Sequence, residues 1–417
     1  MLRVVVAMDS FKGSLSSAEV GAAARAGVLR AVPDARVRVL PVADGGEGTV
    51  DALLAAVAGV RVLAPVVDAL GRPVDAGYAL LDDGTAVVEA AACVGLAQVG
   101  PVDATLPPLA GSAGVGMLLR HALDGGARRV AVALGGTSCT DGGLGLLIAL
   151  GAVVRDLDGV PVPTSGANPL WTFGSLDPGT LPDLGGAELL VLTDVDNPLH
   201  GPRGAARVFA PQKGATADQV RHLDDRLAAW AGALAGAGRP VGDLPGAGAA
   251  GGLGAALLAL GAAQEPGFAF VARTVGLPQA LVGADLVLTG EGRLDAQTAH
   301  GKTPAGVAGL ARAAGAVVVA LAGSVVRDGA AAGTGADVGD LFDAVLPVHA
   351  TPRGVAEAMD PGTTAAEVAA SAAEVTRLVH ALAGRSRRPS RGRTDRAPGP
   401  RRATGSGDPS PSRDRRA

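Results

Sequence analysis

Apolar runs rich in valine and leucine recur along this chain, and each ends in a polar, glycine-containing loop that leads into a helical stretch. Residues 4–8 begin the series, followed by a loop over 9–15 and a predicted helix over 17–31 with Ser16 or Ser17 as its N-cap. Units of this kind pair their strands in parallel, and the loops at the carboxyl ends of parallel strands converge on one crevice. The pattern therefore predicts a layered α/β fold with its ligand site at these loops.

The same alternation predicts most of the remaining elements. Strands are predicted over residues 36–42, 129–134, 188–192, 284–288, 316–321 and 341–348, and helices over 50–58, 304–314 and 363–383. Residues 60–90 differ, because short strands alternate there with tight turns, which predicts an antiparallel meander. This change indicates entry into a second domain.

The charge of the chain divides at residue 385. The formal net charge is −4, but residues 385–417 contain 11 Arg and three Asp, which leaves the remainder at −12. An acidic body with only 2% aromatic residues excludes general nucleic-acid binding, which needs a basic face and stacking platforms. The tail is rich in Arg, Pro, Ser and Gly, and we predict that it is disordered.

Cysteine usage and the N-terminal residues predict a cytoplasmic protein. The two cysteines, Cys93 and Cys139, cannot by themselves form a disulfide framework or a zinc site. The N-terminus enters a strand pattern without a secretion signal. The uncharged run over 246–263 has membrane-spanning length but is mostly Gly and Ala, which favours a buried, closely packed helix.

Carboxylates concentrate in the loops that follow the predicted strands. They are Asp9, Asp44, Glu47, Asp141, Asp194, Asp196, Glu291 and Asp295. Acids crowded into one crevice repel one another, so a divalent cation, an ammonium group or a substrate proton should share the site. The alternative is that about half of them are helix N-caps, a position that favours Asp.

Only three lysines occur among the 36 basic residues, and each is next to a glycine. They are Lys12, Lys213 and Lys302. An ammonium group can follow a moving phosphoryl group, whereas a guanidinium group requires planar geometry. Together with carboxylates for Mg²⁺ and glycine loops for phosphate oxygens, these lysines meet the requirements of phosphoryl transfer. The alternative is three solvent-exposed lysines that contact no ligand.

Two familiar nucleotide motifs are present only in part. Residues 296–303 resemble a P-loop but have Ala296 where the first glycine is required, which excludes a Walker-type ATPase. Residues 246–251 match the dinucleotide fingerprint, but no strand pattern precedes them, so we predict no nicotinamide site there. The six histidines show no metal-ligand spacing, and His200 and His300 are interpreted as neighbours of the site.

Five motifs together resemble the bacterial glycerate kinase family over about residues 1–382. They are Asp9-Ser-Phe-Lys-Gly-Ser14, Pro41-Val-Ala-Asp-Gly-Gly-Glu-Gly-Thr49, Gly135-Gly-Thr-Ser-Cys-Thr-Asp-Gly-Gly143, Phe209-Ala-Pro-Gln-Lys-Gly-Ala215 and Gly290-Glu-Gly-Arg-Leu-Asp-Ala-Gln-Thr298. The resemblance implies Mg²⁺-dependent phosphorylation of D-glycerate by ATP, with 2-phospho-D-glycerate as the favoured product. Ser138-Cys139-Thr140 departs from the family pattern, which has Ala-Thr-Asn or similar residues there.

The resemblance also implies a domain organisation. A Rossmann-like domain is expected from residues 1–64 and 283–384, around an inserted second α/β domain over 65–282 that contains the meander. Residues 385–417 form the tail outside the family pattern.

We assign site roles by placing residue chemistry on these motifs. Lys12 and Lys213 are predicted to bind phosphate or the glycerate carboxylate, and Asp44 and Asp194 to share acceptor activation and Mg²⁺ coordination. Asp295 is a second predicted metal ligand beside Asp194. The residues predicted to contact substrate or nucleotide are Asp9, Ser10, Gly13, Ser14, Gly45, Gly46, Asp141, Glu291, Arg293 and Lys302.

Three alternatives stay open on the sequence alone. The chain could phosphorylate another small hydroxy acid, place the phosphate on the 3-hydroxyl, or be a non-catalytic small-molecule sensor with a kinase-like scaffold. In each case we expect small-molecule partners, without nucleic acid or membrane, and the sequence does not predict the oligomeric state.

Overall fold

The computed structural model describes residues 1–164, 167–295, 298, 302–326 and 338–386. In these ranges the strands are β1 Arg3–Met8, β2 Arg36–Val39, β3 Gly59–Val67, β4 Pro73–Leu81, β5 Thr85–Glu89, β6 Arg129–Ala133, β7 Val154–Asp156, β8 Phe173–Leu176, β9 Glu188–Leu192, β10 Ala263–Glu265, β11 Leu286–Leu294, β12 Val317–Val325 and β13 Ala344–Pro347. The α-helices are α1 Ser17–Ala31, α2 Thr49–Ala56, α3 Ala91–Val94, α4 Ala113–Asp124, α5 Leu144–Ala149, α6 Ala205–Phe209, α7 Ala217–Gly236, α8 Leu253–Ala259, α9 Gly267–Thr274, α10 Leu277–Leu281, α11 Thr303–Ala313, α12 Val355–Ala358 and α13 Pro361–Ser386.

Two large sheets organise the molecule. The first sheet has the strand order β13-β12-β11-β1-β2, and all of its neighbouring strands are parallel. The second sheet has the order β10-β9-β6-β5-β4-β3, with parallel pairing from β10 to β5. The α/β fold class predicted from the sequence is confirmed.

Local sequence signals account well for α1 and for the meander. The Ser16 side chain accepts a hydrogen bond from the Glu19 backbone N–H, and the Glu19 carboxylate accepts one from the Ser16 backbone N–H. This reciprocal capping box starts α1 at the predicted residue. The predicted meander is also confirmed, because β3, β4 and β5 pair antiparallel at the edge of the second sheet.

Two predicted elements are corrected. Residues 289–294 were expected to form a loop, but they continue β11, which pairs with β12 as far as Leu294 and Val325. Gly290 allows this pairing, since a Cβ atom there would lie 1.7 Å from the carbonyl oxygen of Leu321. The run over 246–263 is helical only as a short turn at Ala249–Gly252 and as α8, because left-handed backbone at Ala250, Gly251 and Gly252 interrupts it.

A shared apolar core joins the two sheets. It includes Ala7 of β1 and Val287 of β11 from the first sheet, and Ala131 of β6 and Leu192 of β9 from the second sheet. Phe268 of α9 packs into the same core. The burial of these side chains fixes the carboxyl ends of both sets of parallel strands relative to each other.

The sheets relate to the predicted domains as follows. The first sheet uses strands from both chain ends, while the second uses strands between residues 59 and 265. The predicted boundary at residue 64 falls inside β3, and the one at 282 falls between α10 and β11. The predicted disordered tail lies outside the described residues from 387 onward. No helix in the described ranges is both long and apolar enough to cross a membrane.

Candidate active site

A cleft of about 670 Å³ lies at the carboxyl ends of β6 and β9 and faces the loop that follows β2. Six residues predicted to form the site line it. They are Asp44, Gly45, Gly46, Asp194, Lys213 and Lys302. Both candidate catalytic carboxylates and two of the three lysines thus lie in one cavity, at the carboxyl ends of parallel strands where the ligand site was expected.

Glycines allow the loops of the two sheets to cross at this cleft. A Cβ atom on Gly45 would lie 2.8 Å from the Cα atom of Gly267, and a Cβ atom on Gly135 would lie 2.6 Å from the Cα atom of Gly46. Gly45 also has a left-handed φ of 83°, which disfavours any side chain there. The sequence predicted that Gly45, Gly46 and Gly135 would admit a ligand, whereas in the structure they bring one loop against another.

The crossing sets Asp194 near Asp44. Asp194 Oδ1 accepts a hydrogen bond of 3.2 Å from the backbone N–H of Gly267, and Asp44 Oδ1 accepts one of 3.1 Å from Gly46. Burial and the charge of Asp44 raise the pKa of the Asp194 carboxyl group to about 6. The two carboxylates repel each other, so a cation or a proton between them would be stabilised.

Two further acids, Asp9 and Glu291, interact electrostatically with Asp44. Burial, followed by the charge of Asp44, raises the pKa of Asp9 to about 7. Burial also raises the pKa of Glu291, whose carboxylate accepts a hydrogen bond of 2.7 Å from Thr298. These shifts show that Asp9 and Glu291 are close enough to Asp44 to feel its charge. The sequence analysis expected these three carboxylates in one crevice.

Lys213 differs from an ordinary surface lysine. Its side chain is buried, and its ammonium group donates to the carbonyl oxygen of Cys139 at 2.6 Å and to Thr137 Oγ1 at 3.3 Å. Burial lowers the pKa of the ammonium group. A buried cation with two neutral partners has capacity to bind an anion in the cleft that it lines.

The remaining predicted residues of this edge lie at its margin. Arg293 is 66% exposed and pairs with Asp295 at 3.2 Å. Lys302 occupies the N-cap position of α11 without a side-chain capping bond. His200 does not line the cleft, and His300 and most of the P-loop-like segment lie outside the described residues.

The Lys12 motif lines a second cavity, of about 530 Å³. Ser10, Lys12, Gly13 and Ser14 contribute to it, and none of them lines the cleft. The loop over 44–48 lines both cavities, with residues 44–46 in the cleft and 47–48 in the second cavity. The structure thus divides the predicted site residues between two adjoining cavities.

Glu89 belongs to the second cavity and was missed by the sequence analysis. Burial raises the pKa of Glu89 to about 7, and its carboxylate accepts a hydrogen bond of 2.5 Å from the backbone N–H of Val50 at the start of α2. Glu89 is the last residue of β5, whose carboxyl end lies at the same edge as those of β6 and β9. The position of Glu89 at the carboxyl end of a predicted strand is the sequence signal that could have identified it.

Asp141 lies apart from both cavities. Its buried carboxylate accepts four hydrogen bonds, from the backbone N–H and hydroxyl groups of Ser112 and from the backbone N–H groups of Gly143 and Gly145. These bonds hold the loop before α5. Ser138, Cys139 and Thr140, which depart from the family pattern, are likewise buried. The Ser138 hydroxyl donates a hydrogen bond to the carbonyl oxygen of Val94.

Paired carboxylates, lysines and glycine turns at the strand ends of two α/β sheets place the chain in the class of α/β phosphotransferases. Residues 4–380 match the model of the glycerate kinase family. The chain belongs to the glycerate kinase family.

Known proteins agree with this assignment. The chain is 45% identical over 332 residues to a glycerate kinase of Bacillus subtilis (strain 168), covering 78% of this chain and 86% of that protein. It is 42% identical over 331 residues to the glycerate 2-kinase of Escherichia coli (strain K12), with the same coverage. A crystal structure assigned to glycerate kinase 2 of Salmonella typhimurium LT2 superposes with a TM-score of 0.78 at 40% identity, over 92% of this chain and 99% of that chain.

Proposed function

We propose that the enzyme transfers the γ-phosphoryl group of ATP to the 2-hydroxyl of D-glycerate, with Mg²⁺, and forms 2-phospho-D-glycerate. The observation that carries this proposal is the cleft, which gathers Asp44, Asp194 and Lys213 in one cavity. Family membership supports a glycerate kinase activity with ATP as the phosphoryl donor. The E. coli relative, a glycerate 2-kinase, supports the 2-position.

The donor set fits Mg²⁺ carried on a nucleotide. No three His, Cys, Asp or Glu side chains within the described ranges gather closely enough to hold a metal ion alone. Mg²⁺ in kinases is usually held by one or two carboxylates together with phosphate oxygens. One of Asp44 and Asp194 is enough to meet this requirement, and their mutual repulsion favours a cation beside them. Bound there, Mg²⁺ would neutralise phosphate charge.

The protein groups then have distinct tasks. One of Asp44 and Asp194 accepts the proton of the glycerate hydroxyl, and the other holds the metal. The raised pKa of Asp194 brings it closer to the working pH of a general base. Lys213 stabilises negative charge on the transferred group.

Turnover and product identity test the proposal directly. ADP release coupled to a reporter enzyme should require both D-glycerate and Mg²⁺, and EDTA should abolish it. The ³¹P spectrum of the product distinguishes the 2-phosphate from the 3-phosphate, and other small hydroxy acids serve as competing substrates. ATP binding without phosphoryl transfer to any hydroxy acid would support the non-catalytic sensor instead.

Two variants divide the roles of the carboxylates. Asp44→Asn and Asp194→Asn should each lower kcat by at least about a hundredfold, the scale of losing a principal catalytic group. The variant that also needs much more Mg²⁺ for half-maximal activity has lost the metal ligand. If both variants kept wild-type kcat, the cleft would not be the catalytic site.

A further inference from the structure

Apolar side chains line part of the cleft and remain open to solvent. Val195, after β9, is 37% exposed, and Val208 of α6 is 44% exposed. Phe209 follows Val208, is partly buried, and lines the same cleft. Apolar side chains left open beside carboxylates and lysines indicate contact with a ligand that is apolar at one end and charged at the other.

Of the two substrates of a glycerate kinase, only the nucleotide has this character. Glycerate has three carbon atoms that carry a carboxylate and two hydroxyl groups, so polar partners satisfy it. Adenine has two apolar faces, and its ribose is linked to a polyphosphate. The second cavity offers a contrast, because none of the exposed large apolar side chains of the described residues lines it.

Gln212 provides a polar group next to these apolar side chains. It lies in the short helical turn Pro211–Lys213 that follows α6, and it lines the cleft. Its exposed amide forms no side-chain hydrogen bond with any residue in the part of the chain that the structure describes. A glutamine amide can bind this edge of adenine with both of its groups: its oxygen accepts a hydrogen bond from the N6 amino group, and its nitrogen donates one to N7.

We infer that Val195, Val208, Phe209 and Gln212 form the adenine subsite of the cleft. This inference rests on the proposed function, which supplies the nucleotide. The apolar side chains cover the faces of the base, and Gln212 binds its edge. Lys213 follows Gln212 in the same turn, so a single turn joins base recognition to phosphate binding.

The test places a charge among the apolar side chains of Val195, Val208 and Phe209, here called the apolar wall. It measures nucleotide binding separately from turnover. Val208→Glu is compared with Val160→Glu, which makes the same change at a valine that is 56% exposed and does not line the cleft. Calorimetry gives the Kd for ADP, and steady-state kinetics give KM for ATP and for D-glycerate. Circular dichroism checks the fold of both variants.

Val208→Glu should raise the Kd for ADP and KM for ATP about tenfold, the scale of losing one base contact. KM for D-glycerate should stay within about twofold of wild type, because the apolar side chains contact the base and not the acid substrate. A twofold change is less than half of a tenfold step in free energy. Val160→Glu should match wild type in every constant. Gln212→Ala should lower the preference in kcat/KM for ATP over GTP, because the group that reads the base edge is gone.

The outcomes separate this inference from the proposed function. Normal glycerate turnover with an unchanged Kd for ADP in Val208→Glu would overturn the adenine subsite alone. A rise in KM for D-glycerate without any change for ATP would also overturn it, by assigning the apolar wall to the acid substrate. ADP binding that depends on Val208 in a protein unable to phosphorylate glycerate would uphold the subsite and refute the proposed function.

Discussion

At the scale of single residues, Asp9 is a buried carboxyl group whose ionisation the fold opposes. Its pKa rises from 3.8 to about 7, first through burial and then through the charge of Asp44. Between these values the unfolded chain loses the proton while the folded protein keeps it. Stability attributable to Asp9 therefore falls as the pH rises from about 4 to about 7, and the full loss persists above that range.

Replacing this carboxyl group should reveal the effect. Asp9→Asn should raise the free energy of unfolding by a few kcal/mol at pH 8 and change it little at pH 4, since each pKa unit corresponds to about 1.4 kcal/mol. Urea titrations of the ligand-free protein at both pH values give the comparison. Asp34→Asn makes the same change at an exposed carboxyl group and serves as the control. An equal effect of Asp9→Asn at the two pH values would contradict the prediction.

Lys12 gives a second prediction at this scale. Its exposed side chain lines the second cavity together with Ser10 and Ser14, next to the loop that carries Asp44. If its ammonium group contacts charge that moves during transfer, Lys12→Ala should lower kcat about a hundredfold or more. Lys12→Arg should not restore the rate, because a planar guanidinium cannot replace a point charge beside Gly13. Wild-type kcat in both variants would show that Lys12 is only a surface charge.

At the scale of elements, the start of α9 is a place where the loops of the two sheets are closely packed. A Cβ atom on Gly267 would lie 2.1 Å from the carbonyl oxygen of Asp44, and the backbone N–H of Gly267 holds Asp194. Gly267→Ala should therefore destabilise the protein by about 1–3 kcal/mol and displace both carboxylates. We expect kcat to fall about tenfold or more, because small displacements of reacting groups are costly.

A helix glycine without neighbours provides the matched control. A Cβ atom on Gly309, inside α11, would meet no atom within 4 Å. Gly309→Ala should leave kcat unchanged and stabilise the protein by about 0.5–1 kcal/mol, the usual gain in a helix. Thermal melts and steady-state kinetics of the two variants decide the matter. Wild-type stability and rate in Gly267→Ala would show that the loops are not in close contact.

Elements also show what the sequence could predict. Local signals were sufficient for α1, where Ser16 and Glu19 form a capping box, and for the carboxyl-edge position of Asp44 and Asp194. The extension of β11 was not predictable, because it depends on pairing with a strand that is distant in sequence. The division of the site into two cavities could not be predicted either, because it depends on the path of the loop over 44–48 between them in three dimensions.

At the scale of the whole molecule, the charge of the chain is divided between an acidic body and a basic end. The match to the glycerate kinase family ends at residue 380, within α13. Removing residues 387–417, which leaves α13 whole, should keep kcat and both KM values within about twofold and lower the isoelectric point. A loss of activity beyond about tenfold, or roughly 1.4 kcal/mol, would show that the basic end contributes to the enzyme.

The first sheet has a consequence for the synthesis of this protein. Val4 of β1 pairs with Leu286 of β11, whereas every strand of the second sheet lies between residues 59 and 265. A nascent chain that has left the ribosome as far as residue 282 can complete the six-stranded sheet. At that point β1 and β2 can pair only with each other, because β11 has not yet left the ribosome. The cleft, which needs loops from both sheets, therefore assembles only in the last part of translation.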